Sequence, residues 1–234
     1  IPSLGGSGVG YRLAEQFGLA LLPRSAGLVP FTFSDSHQAL FSRLSGVSCE
    51  VTLANSRRSF REDLLFTHRG LSGPAVLQLS SFWRPGESIM VDLLPGRDAA
   101  RKLSDWKRES PRSLLRTRLI RLLPQKLVTE LEALMWPQHA ERPLADWRGR
   151  DLNTVAKQLQ GWELRPAATE GYRKAEVTRG GVATDELSQS TLEARNVAGL
   201  HFIGEVVDVT GWLGGYNFQW AWSSGVAAGL AATA

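Results

Sequence analysis

The residues best suited to chemistry lie near the end of the chain. Gly204-Glu205 follows an apolar run, Leu200-His201-Phe202-Ile203, and Asp208 comes soon after. Gly214-Gly215-Tyr216-Asn217 then opens a small-residue stretch that continues to Ala232. A carboxylate just after a buried strand can accept hydrogen bonds from ligand hydroxyls, as acids do on ribose or ribityl chains. Two glycines before a helix let the backbone approach a flat ligand closely. The helix start turns free N–H groups and the positive end of a dipole toward an anionic edge. A solvated acid at a strand end, a capping Asp208 and a plain glycine turn account for the same residues without a ligand. In combination they read as a place where a nucleotide-like ligand is held.

Two further stretches carry reactive types. Thr178-Arg179-Gly180-Gly181-Val182 places a glycine pair after a strand, suited either to one face of the same ligand or to a hairpin turn. Phe66-Thr67-His68-Arg69-Gly70-Leu71-Ser72-Gly73-Pro74 is a polar turn between strand and helix, where His68 and Arg69 could meet an anionic or carbonyl substrate. A lone loop histidine is equally a structural residue. Other chemistries fit badly. Gly5-Gly6-Ser7-Gly8 lacks the nucleophile-elbow spacing, no phosphate loop or full dinucleotide fingerprint occurs, and His37, His68, His139 and His201 have no zinc spacing, so no metal is expected.

Several elements must position these groups. Residues 8–18 read as a short helix stopped by Gly18. Between Leu28 and Leu93 the texture is of short strands: Leu28–Phe33, Val47–Leu53, Ser59–Phe66 and Ser88–Leu93, with Cys49, Val51 and Leu53 alternating onto one face. A helix capped by Ser72, with Pro74 in its first turn, interrupts them. From Arg97 to Gln160 the periodicity is helical, with stripes at Leu114, Leu115, Leu119 and Leu122 and at Leu127, Leu131 and Leu134. Pro111, Pro124, Pro137 and Pro143 punctuate this region. Strand texture returns at Trp162–Ala167 and Lys174–Thr178, and a final helix is expected from about Tyr216 to Ala232.

The chain has 234 residues, 43% of them hydrophobic, which suits one large or two small globular domains. Its single cysteine, Cys49, excludes an internal disulfide and fits a reducing cytoplasm, and no apolar run is long enough to span a bilayer. The net charge of +4 reflects cations concentrated between Arg97 and Arg121. A solvated helical face is the preferred account of that run. A nucleic-acid or protein-binding module using residues 97–121 is the alternative, and nucleic acid is not the expected partner. The first residues, Ile1-Pro2-Ser3-Leu4-Gly5-Gly6-Ser7-Gly8-Val9-Gly10, enter a glycine-rich turn at once, so the sequence is expected to be a piece of a longer protein.

Four stretches together resemble one family. They are Pro2 through Gly18, Phe66 through Gln78, Val177-Thr178-Arg179-Gly180-Gly181-Val182, and Gly204-Glu205 through Gly225. In this order they resemble the BaiN-type, aminoacetone oxidase-like family of bacterial NAD(P)/FAD-dependent oxidoreductases. The resemblance implies an α+β protein: a C-terminal remnant of a Rossmann-like FAD domain (1–24 and 180–234), an inserted antiparallel β-barrel-like domain (25–96 and 161–179), and a nested helical domain (97–160). The ADP-binding βαβ unit would precede Ile1, and the isolated segment is expected to be inactive. By the same resemblance Glu205, with Gly204 and Asp208, would meet the ribityl or pyrophosphate region of FAD. Gly214, Gly215, Tyr216 and Asn217 would meet the flavin edge. Thr178, Gly180, Gly181 and Val182 would lie beside the ring, with Gly5 nearby. Hydride or electrons would pass between NAD(P)H or a small organic substrate and FAD. No catalytic acid or base is implied.

Overall fold

The computed structural model describes residue 1 and residues 5–233. Pro2, Ser3 and Leu4, which open the first of the four stretches, lie outside the described residues. The chain forms two compact units, one from Ile1–Val29 with Glu170–Ala234, the other from Pro30–Thr169. No helix among the described residues is long and apolar enough to cross a membrane.

The first unit contains α1 (Val9–Gln16), β1 (Leu21–Gly27), β9 (Val177–Val182) and α8 (Tyr216–Ala232). β1 and β9 pair antiparallel, with an irregularity between Leu22 and Ser25. Ala14, Leu19, Val182, Leu192, Phe202, Val207 and Ala228 form its core. Short 3-10 turns at Gly171–Arg173, Thr184–Glu186 and Gly204–Val206 link these elements.

The second unit is built on seven strands, β2 (Phe31–Thr32), β3 (Ser48–Ala54), β4 (Ser59–Thr67), β5 (Gly70–Ser72), β6 (Ile89–Asp92), β7 (Trp162–Leu164) and β8 (Ala168–Thr169). Their order is β7-β6-β3-β4-β5-β2-β8, and all pairs are antiparallel. Alternation sends Val51, Leu53, Phe60, Leu64 and Phe66 inward. Phe41, on α2 (Asp35–Arg43), is the plug. Its ring lies 5.4 Å from Phe66 of β4 and 6.0 Å from Trp162 of β7, three strands away, so the sheet curls around it. α3 (Pro74–Ser80) packs on β3 and β4.

The helices α4 (Ala99–Glu109), α5 (Leu115–Leu119), α6 (Gln125–Met135) and α7 (Gly149–Gln160) share one continuous apolar core with this sheet. Asp98 caps α4 by accepting the Arg101 amide at 2.9 Å. The prolines mark boundaries as their chemistry requires: Pro124 stands at the N-cap of α6, and Pro137 and Pro143 open 3-10 turns.

Several sequence expectations are corrected. Leu200–Ile203 is not a strand. It makes a single bridge, His201 to Glu193, and Ile203 is 43% exposed, so apolar composition alone misled. Leu28 adopts a positive φ and breaks the expected strand, leaving only Phe31–Thr32. The Lys174–Thr178 strand starts only at Val177, after a 3-10 turn ending at Arg173 and an irregular stretch over residues 174–176. Gly73, not Ser72, stands at the N-cap of α3. Gly180-Gly181 is no hairpin turn but lies inside β9. On α6, Val128 is buried and Leu134 is 51% exposed.

The turn after α3 is clamped electrostatically. Arg57 grips both carboxylate oxygens of Glu87 and also donates to the Phe82 carbonyl at 2.8 Å. The Trp83 indole donates to the Glu87 carbonyl at 2.8 Å. Hydrogen bonding from Arg57, reinforced by the Arg84 amide, holds the Glu87 carboxyl down at about 2. A depressed carboxyl stabilises the native state above the ordinary value near 4.5, and that contribution is lost as pH falls toward 2. Glu87→Gln should therefore lower the melting temperature at pH 7 and flatten its decline between pH 4.5 and 2, read by circular dichroism across that range.

Candidate functional site

The site is built in the first unit, where the chain from Gly204 to Asp208 runs between β9 and α8. Gly204 is tied to α8 from both sides. Its N–H donates to Ser224 Oγ at 2.9 Å, and the Trp220 indole donates to its carbonyl at 3.0 Å. Beyond that point the two acids turn to β9. Glu205 Oε1 accepts the Thr178 amide, and Asp208 Oδ1 accepts the Gly180 amide at 3.0 Å. The Asp208 amide returns a bond to the Val182 carbonyl at 2.9 Å.

This junction explains the glycine pair. A Cβ on Gly180 would stand 2.2 Å from the Pro23 carbonyl oxygen, and one on Gly181 would stand 2.3 Å from that of Val206. Both residues have positive φ, at +82° and +129°. Backbone crowding from β1 on one side and the 204–206 turn on the other therefore requires glycine at both positions.

Glu205 borders two cavities. One, of about 550 Å³, is lined by the glycine-rich start of the chain (Gly6, Ser7, Gly8), Gly10 and Tyr11 of α1, Arg24, Tyr172, Thr178, Glu205 and Val206. The Arg24 guanidinium lies 4.4 Å over the Tyr11 ring. Burial, followed by the negative charge of Glu205, raises the Tyr11 phenol above its ordinary value, against a smaller opposing pull from Arg24, so Tyr11 remains a neutral donor at physiological pH. The other cavity, of about 430 Å³, is more apolar, walled by Trp212, Phe218 and Trp220, with Gly214, Gly215, Asn217 and Glu205 around it.

Gly215 stands at the N-cap of α8 with φ +86°, and the space where a Cβ would project is empty. The backbone is thereby left open at the helix start, where partial positive charge gathers. Asn217 holds the approach to the helix in place. Its Oδ1 accepts the Gly211 amide at 2.8 Å, and its Nδ2 donates to the Gly211 carbonyl at 3.2 Å. A flat ligand with an anionic edge and hydroxyl groups matches these surroundings: aromatic walls, bare backbone at a helix start, and one free carboxylate oxygen.

Thr178, Glu205, Gly214, Gly215 and Asn217 thus border the cavities. Gly180, Gly181, Val182, Gly204 and Asp208 form the framework behind them. Gly5 precedes the lining residue Gly6, and Tyr216 is exposed at the helix start. His68 and Arg69 belong to the other unit, at the exposed β4–β5 turn, where Thr67 Oγ1 accepts the Gly70 amide at 3.1 Å. Tyr11, Arg24, Tyr172 and Phe218 were not singled out as site residues from sequence. Tryptophans 212 and 220 gave a signal, through their place beside the C-terminal glycines. Arg24 gave none, because a lone arginine in a strand is ordinary.

Fold and site together define an antiparallel barrel-and-helix unit and a glycine-rich unit that carries two cavities. Residues 25–177 match the family described as HI0933-like protein barrel and H2TH domain, and the chain belongs to the HI0933-like family. It is 47% identical over 234 residues to a ribosomal RNA dihydrouridine synthase of Haemophilus influenzae, covering 98% of this chain and 57% of that protein. The protein of the same name from Escherichia coli K12 is 52% identical over 225 residues, covering 96% of this chain and 56% of its own length. A 3-dehydro-bile acid delta(4,6)-reductase of Clostridium scindens is 33% identical over 249 residues, with 98% and 59% covered. The chain therefore spans a little over half the length of these relatives.

Substitutions at the junction should separate framework from lining. Gly181→Ala must displace the Val206 backbone and should cost about 2–4 kcal/mol in urea unfolding. Gly215→Ala meets no neighbour, and its cost should stay near ~1 kcal/mol, from φ strain alone. Asn217→Ala should cost about 1 kcal/mol and remove hydrogen-exchange protection from the Gly211 amide.

Proposed function

We propose that the chain is the greater part of a flavin-dependent oxidoreductase that reduces the C5–C6 double bond of a uracil base in ribosomal RNA. FAD would be its cofactor and a reduced nicotinamide nucleotide its electron source. The single observation that carries this reading is the convergence of the Glu205 carboxylate, the bare helix start at Gly214-Gly215 and the Trp212–Phe218–Trp220 walls on one place. The names of the relatives supply the substrate. A dihydrouridine product and a delta(4,6)-reductase share one chemistry, addition of two hydrogens across a double bond conjugated to a carbonyl.

The residues fit such a cofactor. The aromatic walls accept a flat ring, and the open Cβ direction at Gly215 leaves room for its edge. Glu205 keeps one carboxylate oxygen for ligand hydroxyls while the other fixes β9. Arg24 and neutral Tyr11 offer a cation and a donor to the anionic portion of a nucleotide in the larger cavity. When bound, FAD supplies a two-electron carrier that this set of side chains lacks. In this reading 1–24 and 180–234 are part of a Rossmann-like FAD domain, 25–96 and 161–179 form the inserted barrel, and 97–160 form the helices nested in it. In the same reading an ADP-binding βαβ unit would lie outside these 234 residues. His68 and Arg69 are proposed substrate contacts.

A second reading, reduction of a small conjugated ketone, is favoured by the similarity to the bile acid reductase. Both are tested by expressing the longest reading frame that contains the chain. Purified protein should show flavin absorption and one FAD per polypeptide. Glu205→Ala should weaken FAD binding by roughly tenfold or more, as expected for a lost charged acceptor. With a nicotinamide donor, the protein should add two hydrogens to a uridine in ribosomal RNA, seen by nucleoside mass spectrometry. A well-folded protein that takes up no FAD would refute the whole proposal. Reduction of a steroid enone with RNA untouched would favour the second reading.

A further inference from the structure

We infer that the outer face of α8 is a packing surface, covered in the longer protein by the stretch of the same polypeptide that lies outside these 234 residues. The inference concerns packing and holds whichever substrate is reduced.

The side of α8 that meets the rest of the unit is narrow, with Ser224 and Ala228 as its buried residues. The outer side is apolar rather than charged. Phe218, Trp222, Val226 and Leu230 recur every fourth residue, so they form one stripe, and they are 60–76% exposed. Ile203, also exposed, adjoins the stripe, since a Cβ on Gly225 would stand 3.6 Å from its Cδ1. Gln219 and Ser223 flank it and bond to each other at 2.9 Å. Single apolar side chains on a surface need no account, but a continuous row of large ones does. A helix that is apolar all round belongs to an interior.

The chemistry of the helix selects the occupant. Residues 209–234 carry no Asp, Glu, Lys, Arg or His. A helix lying on a membrane surface pairs its apolar face with a charged one, and α8 has no such face. A nucleic-acid backbone would find no cation on it. Apolar protein surface is the occupant that fits. The Haemophilus influenzae and Escherichia coli relatives match this chain nearly from end to end, and more than two-fifths of each lies outside the match. A segment of that length on the same polypeptide meets the stripe at a far higher effective concentration than a second copy does. Phe218 belongs both to the stripe and to the wall of the apolar cavity. The covering segment therefore also stands beside that cavity and completes its wall.

The test uses the longest reading frame that contains the chain, carrying Val226→Cys or Leu230→Cys, with Lys126→Cys on the exposed side of α6 as control. The folded protein is treated with a maleimide, and each thiol is followed by peptide mass spectrometry, which separates it from Cys49. In the native monomer the Val226→Cys and Leu230→Cys thiols should react at least about 100-fold more slowly than in urea, and the control thiol at nearly the same rate in both. Trp222→Ala gives a second reading. Loss of a covered indole should lower the melting temperature by about 5–10 °C, whereas loss of one in solvent should change it by less than about 2 °C. Light scattering fixes the mass of the labelled species. The inference is overturned if the thiols react freely in the monomer. It is also overturned if protection belongs to a dimer and is lost on dilution, which makes a second copy the occupant, or if protection needs phosphatidylglycerol vesicles, which makes the surface one for lipid. Labelling requires no flavin, so failure here leaves the cofactor reading standing, and a protein without FAD whose thiols are protected leaves this one standing.

Discussion

The first unit depends on two carboxylates that serve as backbone acceptors. Glu205 takes the Thr178 amide and Asp208 takes the Gly180 amide, which joins the 204–208 segment to β9. β9 has a ladder partner, β1, on one edge only, and Gly180 falls where that ladder is irregular. Buried N–H groups left without acceptors are costly, so the acids are structural before they are anything else. Their position also decides what the site can be. With Oε1 held by the Thr178 amide, the Glu205 side chain is tethered where it borders both cavities.

The second unit solves a different problem. A seven-stranded sheet without closure would expose an apolar face and two edges. Phe41 fills the concave face, contacting strands on either side of the curl, and the helices from Ala99 to Gln160 extend the same core. Trp106, Trp136, Trp147 and Trp162 are all buried within it. Several large aromatic groups thus do here what a longer closed barrel would do by geometry alone.

Much of this was legible in the sequence, and the failures have physical causes. α8 was read with both its ends, because glycines precede it and small residues run through it. β3 and β4 followed from alternation, and the prolines located the helix breaks. Leu200–Ile203 misled because apolar composition fixes neither pairing nor burial: of the four residues only Phe202 is buried. Gly180-Gly181 was legible as a special backbone site but not as an interior strand position. The crowding that demands glycine there comes from Pro23 and Val206, remote in sequence. Tyr11 and Arg24 met only through tertiary contact, beyond the reach of any spacing rule.

One pairing in the second unit bears on how the polypeptide reaches its native state. β2 and β8, at the two ends of that unit, lie side by side, with Phe31 opposite Thr169. The first unit is assembled from both ends of the chain, and closing so long an intervening loop carries an entropic penalty. Once the middle has condensed, its neighbouring end strands deliver the two arms already close together, and most of that penalty has been met. On the ribosome the central segment can condense before α8 has been made, and the flanking arms join only once synthesis has reached α8.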